Sequence, residues 1–108
     1  MSFVSVLVTT ADQEEAKRIG RGVVEARLAP SANIVTGVTS IYWWQGKLEE
    51  GPECLVIFKT RDNLLAALTS KVKEFHSYEC PSVVALPIQG GNPDYFKWIS
   101  SETVEISA

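Results

Sequence analysis

One segment limits the possible folds of this chain more than any other. Residues 33–45 read NIVTGVTSIYWWQ, a run of β-branched and aromatic residues that favours an extended strand. A strand of 13 residues reaches roughly 40 Å at ~3.3 Å per residue, whereas a domain of 108 residues has a radius of gyration of only about 13 Å. The strand must therefore bend, for which Gly37 is the favoured position, or project beyond its own domain.

Two adjacent tryptophans stand near the end of this strand. The side chains of Trp43 and Trp44 must point to opposite faces of the sheet. A sheet that helices cover on one side can bury only one of them, so the other is exposed at a hairpin tip or covered by another chain. Aromatic residues are enriched at subunit interfaces. We therefore expect a symmetric homo-oligomer, with strand extension across subunits, and place Ile41, Trp43 and Trp44 at its interface.

The rest of the chain alternates between strand and helix patterns. Asp12 stands three residues before Glu15, a capping-box spacing that begins one helix, and a second helix begins at Asp62 and ends at His76. The polar, glycine-bounded stretch from Gln45 to Pro52 is typical of a hairpin connection. Further strands are predicted over residues 3–9, 54–60 and 82–89, the last with Pro87 indicating an edge, then a short helix around residues 95–99 and a brief strand over residues 103–106. The order β-α-β-β-α-β predicts an α+β, ferredoxin-like sandwich with a C-terminal helix and short strand.

Composition excludes several classes of protein. A net charge of −3 at pH 7 has the wrong sign for a nucleic-acid or anionic-lipid surface. Cys54 and Cys80 are too few for a disulfide framework or a four-ligand structural zinc site. No apolar run approaches the ~20 residues that span a bilayer, and the first residues alternate like a strand rather than a signal peptide. We therefore expect a single cytoplasmic domain over residues 1–108, with both cysteines as free thiols.

His76 is the sole histidine, and its position allows two interpretations. At a helix C-terminus, the charged form of histidine interacts favourably with the helix dipole, and the side chain caps a backbone carbonyl. Alternatively, it binds a metal together with Glu79 and Cys80, because thiolate and imidazole prefer copper or zinc to magnesium or calcium. One histidine and two cysteines do not close a tetrahedral site in one subunit without carboxylate or water. The metal site would take ligands from a neighbouring chain, or it would be weak and exchangeable.

The common enzyme motifs are missing from the sequence. Gly20 and Gly22 lie inside a predicted helix, without the third glycine or the preceding strand of a dinucleotide-binding loop. The chain has no phosphate-binding loop, no nucleophile elbow and no His-Glu-x-x-His motif. These motifs therefore give no indication of catalysis or of an organic cofactor.

Several segments together resemble one known family. Residues 37–47, GVTSIYWWQGK, closely resemble the signature of the CutA divalent-ion tolerance family, and further blocks match in the same order at residues 6–10, 59–60, 76–81 and 85–88. The resemblance implies a ferredoxin-like subunit in a tight homotrimer, formed by β-pairing between subunits and related in architecture to the PII signalling proteins. It also implies a cytoplasmic, non-catalytic protein of divalent-metal tolerance, copper above all.

The resemblance also bears on the metal ligands. The histidine that the family uses near the end of the second helix corresponds to His76. Ser31 stands where many members have a cysteine, and Phe75 stands where some have a second histidine. Because a serine hydroxyl is a far poorer ligand for a soft metal than a thiolate, the sequence predicts weak binding of Cu²⁺ or Zn²⁺.

Two alternative functions stay open at this point. One is a PII-like sensor that binds a small anionic or nucleotide-like ligand in clefts between subunits. The residues placed in such a cleft are Tyr42, Trp44, Lys59, Tyr78 and Glu79. The other is a stable trimeric scaffold for a partner protein.

Overall fold

The computed structural model describes residues 2–105 as an α+β domain whose antiparallel sheet has the strand order β2-β3-β1-β4. The elements are β1 (Phe3–Thr10), α1 (Gln13–Glu25), β2 (Ala32–Trp44), β3 (Lys47–Arg61), a 3-10 turn (Asp62–Leu64), α2 (Leu65–Phe75), β4 (Val83–Ile88) and α3 (Pro93–Ser101). The predicted ferredoxin-like order and the C-terminal helix are confirmed. The predicted final strand is not, because Thr103–Glu105 form no strand, and Ile106 lies outside the described residues.

The capping box at the start of α1 forms, with one difference. The Asp12 carboxylate accepts a hydrogen bond of 2.8 Å from the backbone N–H of Glu15, as predicted. The Glu15 carboxylate does not return to the N–H of Asp12 but accepts from that of Ala11 at 3.0 Å. Glu15 is also only 3% exposed, so it is a buried carboxylate and not merely a helix cap.

The core lies between one face of the sheet and the helices α1 and α2. Alternate residues of the two central strands are fully buried there, and α1 and α2 cover them with apolar side chains. The buried cluster includes Val6, Val8, Val56, Phe58, Ile19, Val23, Leu68 and Val72. On the opposite face, β4 leaves Val84 and Leu86 about half exposed.

The β2–β3 hairpin both bends and projects beyond the domain. A register shift falls between Val35 and Val38, where Gly37 has φ +78°. The predicted connection over residues 45–52 is wrong, because β3 already begins at Lys47. The turn is only Gln45-Gly46, and both residues have positive φ, as a tight two-residue hairpin requires. The domain is accordingly elongated, 44 × 26 × 23 Å.

Neither tryptophan of the hairpin is buried, contrary to the expectation that the sheet would cover one. Trp43 is 72% exposed and Trp44 42% exposed. Trp43 lies opposite Leu48 in the ladder, and Leu48 is also exposed. The cause is the projection itself: this end of the hairpin extends past the helices that cover the rest of the sheet.

The chain after α3 is fastened to the domain by a buried arginine. The Arg61 side chain is 2% exposed, and its guanidinium donates to Thr103 Oγ1 at 3.1 Å and to the carbonyl of Val104. The N–H of Val104 donates in turn to the carbonyl of Arg27 at 2.9 Å.

No helix within residues 2–105 is long and apolar enough to cross a membrane.

Candidate functional site

A cleft of about 650 Å³ lies between the β2–β3 hairpin and the loop that joins α2 to β4. We call it the hairpin cleft. Its lining residues are Thr9, Ser40, Ile41, Tyr42, Trp44, Glu53, Ser77, Tyr78, Glu79, Cys80 and Ser82. It is the larger of two pockets that stand out in the described part of the chain. The structure thus brings together five of the residues predicted for the metal site or the ligand cleft, Tyr42, Trp44, Tyr78, Glu79 and Cys80, with Ile41 from the predicted interface beside them.

Strand alternation supplies the hairpin wall of the cleft. Ser40, Tyr42 and Trp44 occupy every second position of β2, so their side chains share one face of the hairpin. Trp43 is the exposed neighbour on the other face and does not line the cleft. The two tryptophans therefore have different surroundings despite being adjacent in sequence.

Tyr78 joins the loop wall to the hairpin. Its hydroxyl donates a hydrogen bond of 2.5 Å to Glu53 Oε2, from a residue near the middle of β3. Burial raises the pKa of Tyr78 far above its ordinary value, and the hydrogen bond and negative charge of Glu53 raise it further. The phenol consequently stays protonated at neutral pH and acts as a donor to the Glu53 carboxylate.

His76 lies beneath this wall rather than in it. Its side chain is fully buried, and Nε2 donates to the carbonyl of Thr9 at 2.8 Å. Nδ1 accepts from the backbone N–H of Tyr78 at 3.0 Å, which fixes the neutral tautomer protonated on Nε2. Both ring nitrogens are therefore occupied, and a metal ion at Nδ1 would have to displace the Tyr78 amide. This geometry agrees with the structural interpretation of His76, in which it holds the backbone at the end of a helix. The assignment of His76 as a metal ligand stays a prediction.

A buried carboxylate anchors the start of the loop. Glu15 Oε2 accepts from the N–H of Ser77 at 2.8 Å, and Oε1 lies 3.8 Å from Nδ1 of His76. Burial opposes ionisation of Glu15, but the hydrogen bonds that the carboxylate accepts from Ala11 and Ser77 outweigh it and lower the pKa of Glu15 below its ordinary value. We call Thr9, Glu15, His76 and Ser77 the loop junction, since their hydrogen bonds hold the loop to α1 and β1.

The described lining of the hairpin cleft is acidic, without basic residues. Glu53 and Glu79 line it, and neither lysine nor arginine does. Lys59, which the sequence placed in a cleft between subunits, does not line the hairpin cleft: its Nζ donates to Asn33 Oδ1 at 3.3 Å and stands 6.0 Å from the centre of the Tyr95 ring. The electrostatics of the cleft therefore favour cations over anions.

The predicted metal ligands do not form a closed site in one subunit. Cys80 is exposed and lines the cleft with Glu79, whereas Cys54 is buried. Within residues 2–105, no three side chains among His, Cys, Asp and Glu converge as a metal would require. Ser31 lines a separate, shallower pocket of about 340 Å³ beside α1.

Two residues of this region escaped the sequence reasoning. Glu53 stands just after the polar stretch that was assigned to a connection, and only the register of β3 against β2 places it at the cleft. Glu15 was interpreted as a helix cap alone, and its bond to Ser77 joins residues 62 positions apart. Glu53 could have been found from its position in the sequence. It stands directly before the apolar run of β3, where strand alternation assigns its side chain to the face opposite the core.

The strand order, the packing of α1 and α2 on one face of the sheet and the acidic cleft beside a projecting hairpin define a ferredoxin-like protein with a cation-compatible cleft. The family model described as "CutA1 divalent ion tolerance protein" matches residues 4–102, and the chain belongs to this family. The fold is similar to that of CutA1 from Oryza sativa, with a TM-score of 0.95 and 43% identity over 98% of this chain and 97% of that one. For CutA1 from Thermus thermophilus the TM-score is 0.91, at 42% identity over 94% and 99% of the two chains.

Curated relatives give the same family. Protein CutA 1, chloroplastic, of Oryza sativa subsp. japonica is 45% identical over 94% of this chain and 58% of its own length. Protein CutA of Mus musculus is 43% identical over 98% of this chain and 60% of its own length. The divalent-cation tolerance protein CutA of Thermus thermophilus is 44% identical over 91% and 95%. The chain thus spans about three-fifths of the length of these plant and animal relatives.

Proposed function

We propose that this protein acts in divalent-cation tolerance by binding Cu²⁺ or Zn²⁺ weakly and exchangeably in the hairpin cleft of a cytoplasmic homotrimer. It catalyses no reaction and uses no organic cofactor. Glu79 and Cys80 supply ligands from one subunit, and a neighbouring copy completes the coordination. His76 supports them from below by fixing the backbone of the loop.

The observation that carries this proposal is the charge and chemistry of the cleft lining. Two carboxylates and an exposed thiol line one cleft, and no basic side chain stands among the described lining residues. Carboxylate, thiolate and imidazole are the ligand types that zinc and copper take in proteins. The names of relatives as divalent-cation tolerance proteins agree with this chemistry.

The proposal of a homotrimer rests on the apolar surface that the single subunit leaves uncovered. Ile41, Trp43 and Leu48 are 61–72% exposed on the projecting hairpin. Exposed apolar residues gathered at one place are typical of interaction surfaces. A second copy that covered this end of the hairpin would also bring its own side chains close to the hairpin cleft, which supplies the missing ligands.

Isothermal titration of the purified protein with Zn²⁺ and with Cu²⁺ tests the metal site. We expect Cys80→Ser and Glu79→Gln each to weaken binding by about tenfold or more. Glu74→Gln, on the exposed surface of α2, serves as the matched control and should bind like the wild type. Equal affinities in all four proteins, or no binding by the wild type, would refute the proposed site.

The same titration on His76→Gln separates the two roles of the histidine. A supporting residue should lower the melting temperature when it is replaced, and weaken metal binding only modestly. Lost binding at an unchanged melting temperature would instead place His76 among the ligands.

A sensor for a small molecule is the second candidate, and the size of the cleft favours it. About 650 Å³ lies within the range of small-molecule sites, ~300–1,000 Å³. The acidic lining disfavours the anionic ligands that were expected from the sequence. A thermal-shift screen tests this candidate, since a ligand that binds only the native state raises the melting temperature. Absence of any metal or small-molecule response, with a protein captured reproducibly, would favour the scaffold role.

A further inference from the structure

The hairpin cleft combines a charge that attracts cations with a volume that a bare metal ion does not fill. The cleft between hairpin and loop has a volume of about 650 Å³, yet no three metal-ligating side chains converge anywhere in residues 2–105. A divalent metal needs several ligands at about 2.0–2.6 Å, and such contacts occupy a small part of a cleft this large. The remaining volume has walls of its own, whose chemistry defines a second kind of ligand.

Three aromatic rings form these walls. Tyr42 and Trp44 come from one face of the hairpin, and Tyr78 comes from the opposite loop. Tyr42 is 45% exposed and Trp44 is 42% exposed, so large aromatic surfaces remain open in the subunit. Aromatic faces carry negative quadrupole charge and attract organic cations, with Trp the most effective.

The third wall is held rigidly in place. The Tyr78 hydroxyl is bound to Glu53, its backbone N–H is bound to His76, and its ring centre lies 4.7 Å from that of His76. A ring fixed at both ends loses little conformational freedom when a ligand binds against it. The cleft therefore has a preformed aromatic wall with carboxylates beside it.

We propose that the hairpin cleft binds an organic ammonium ion, with its alkyl groups on the rings of Tyr42, Trp44 and Tyr78. Glu53 and Glu79 neutralise the positive charge. Because no lysine or arginine stands among the described lining residues, phosphate and carboxylate ligands of similar size are disfavoured. This inference rests on the acidic cleft of the proposed function and adds a class of ligand to the same site.

Choline and its uncharged isostere 3,3-dimethylbutan-1-ol test the inference, because they have the same shape and differ by the charge. We expect choline to bind in isothermal titration and to change the tryptophan fluorescence, and the alcohol to bind at least about tenfold more weakly. Equal affinity for the two compounds, or no choline binding, would overturn the assignment.

Adjacent tryptophans provide the matched pair of variants. Trp44→Leu should weaken choline binding by about tenfold and remove most of the fluorescence change, whereas Trp43→Leu, on the other face of the hairpin, should leave both unchanged. Equal losses in the two variants would contradict a site on the Trp44 face. If either tryptophan variant changes the oligomeric state, Glu53→Gln decides: it keeps an acceptor for Tyr78, removes the charge, and should weaken the binding of choline but not that of the alcohol.

Titration of the same preparation with Zn²⁺ keeps this inference separate from the proposed function. Choline binding without metal binding would overturn the metal site and leave the organic-cation site supported. Metal binding without choline binding would have the opposite meaning. Zn²⁺ that binds and also weakens choline would support both ligands in one cleft.

Discussion

The loop junction lies behind one wall of the hairpin cleft, and the end of the hairpin forms the opposite wall. The two regions differ in how completely their polar groups are hydrogen-bonded and their apolar surface is covered. At the loop junction both oxygens of Glu15 and both nitrogens of His76 have backbone partners within 3.0 Å. At the hairpin, two adjacent tryptophans are 42% and 72% exposed. A buried polar group without a partner is costly, so the junction is complete within one subunit, whereas the hairpin leaves surface for something else to cover.

This difference distinguishes a structural role from a ligand-binding role among residues that look equivalent in the sequence. His76, Glu79 and Cys80 stand within five positions, and all three are metal-ligating residue types. The structure satisfies the first internally and leaves the other two at the cleft. Chemical reactivity is therefore expected on the cleft side of the loop, and mechanical support on the junction side.

The largest expected effect tests the uncovered side. Trp43→Asp places a charge in the exposed apolar end of the hairpin, and we expect the proposed homotrimer to dissociate, since an unpaired charge at an interface core is strongly unfavourable. Sedimentation velocity at micromolar concentration measures the mass. Glu50→Gln, opposite Ile41 in the ladder, is the control and should stay assembled. A wild-type protein that sediments as a monomer would remove the basis of the comparison.

A second prediction concerns the satisfied side. Glu15→Gln keeps the shape but cannot accept from both Ala11 and Ser77 as a carboxylate does, so we expect it to lower the free energy of unfolding at pH 7 by about 1.5–3 kcal/mol. Urea denaturation measures the loss. Gln13→Glu, an exposed position in the same helical turn, should change stability by less than about 0.5 kcal/mol.

The pH dependence of the same variant sharpens this prediction. The pKa of Glu15 is lower in the folded protein than its ordinary value of 4.5, so the stability from its ionised form is present above pH 4.5. That stability is lost as the pH falls through the folded pKa. We expect wild-type stability to decline more steeply than that of Glu15→Gln between neutral pH and the acid range. Parallel profiles would show that Glu15 is not the ionised anchor.

A third prediction probes the packing behind the junction. A Cβ at Gly22 would lie 2.5 Å from the Phe75 ring, just before His76, so Gly22→Ala should destabilise by about 1–3 kcal/mol despite the higher helix propensity of alanine. Thermal unfolding measures this effect. Combining it with Phe75→Leu should recover part of the loss, because the smaller side chain removes the close contact. If Gly22→Ala alone stabilised the protein, α1 and α2 would have to be packed more loosely at this point than the 2.5 Å distance indicates.

The elements that local physics determines were predictable from the sequence. Asp12 caps α1 with the side-chain hydrogen bond that its spacing from Glu15 indicates. Residues 47–52 were assigned to the hairpin connection because they are polar, but they belong to β3. Polar composition indicates a connection only where a strand would have to bury an apolar face. A two-stranded ribbon beyond the core has no such need, and its polar residues continue the ladder.

The site was only partly predictable, for a different reason. Tyr42 and Trp44 were found because alternation fixes which strand residues share a face, and Tyr78, Glu79 and Cys80 because they are adjacent. Lys59 does not line the hairpin cleft, since it lies further along β3 on the same face as Glu53, beside Asn33 and Tyr95. The bond between Glu53 and Tyr78 depends on the register of β3, which no local pattern specifies.

We expect the smallest effect from removing the hydrogen bond between Tyr78 and Glu53, which joins the two sides of the cleft. Tyr78→Phe removes the donor to Glu53 and should cost about 1 kcal/mol, because Glu53 is half-buried and water replaces part of the lost bond. Urea denaturation measures the cost, and Tyr95→Phe, at a position outside the cleft lining, is the control. Because the phenylalanine ring keeps its place beside His76, choline should still bind to the variant. A loss as large as that of Glu15→Gln would mean that the satisfied network extends across the cleft, and that the hairpin is held as firmly as the junction.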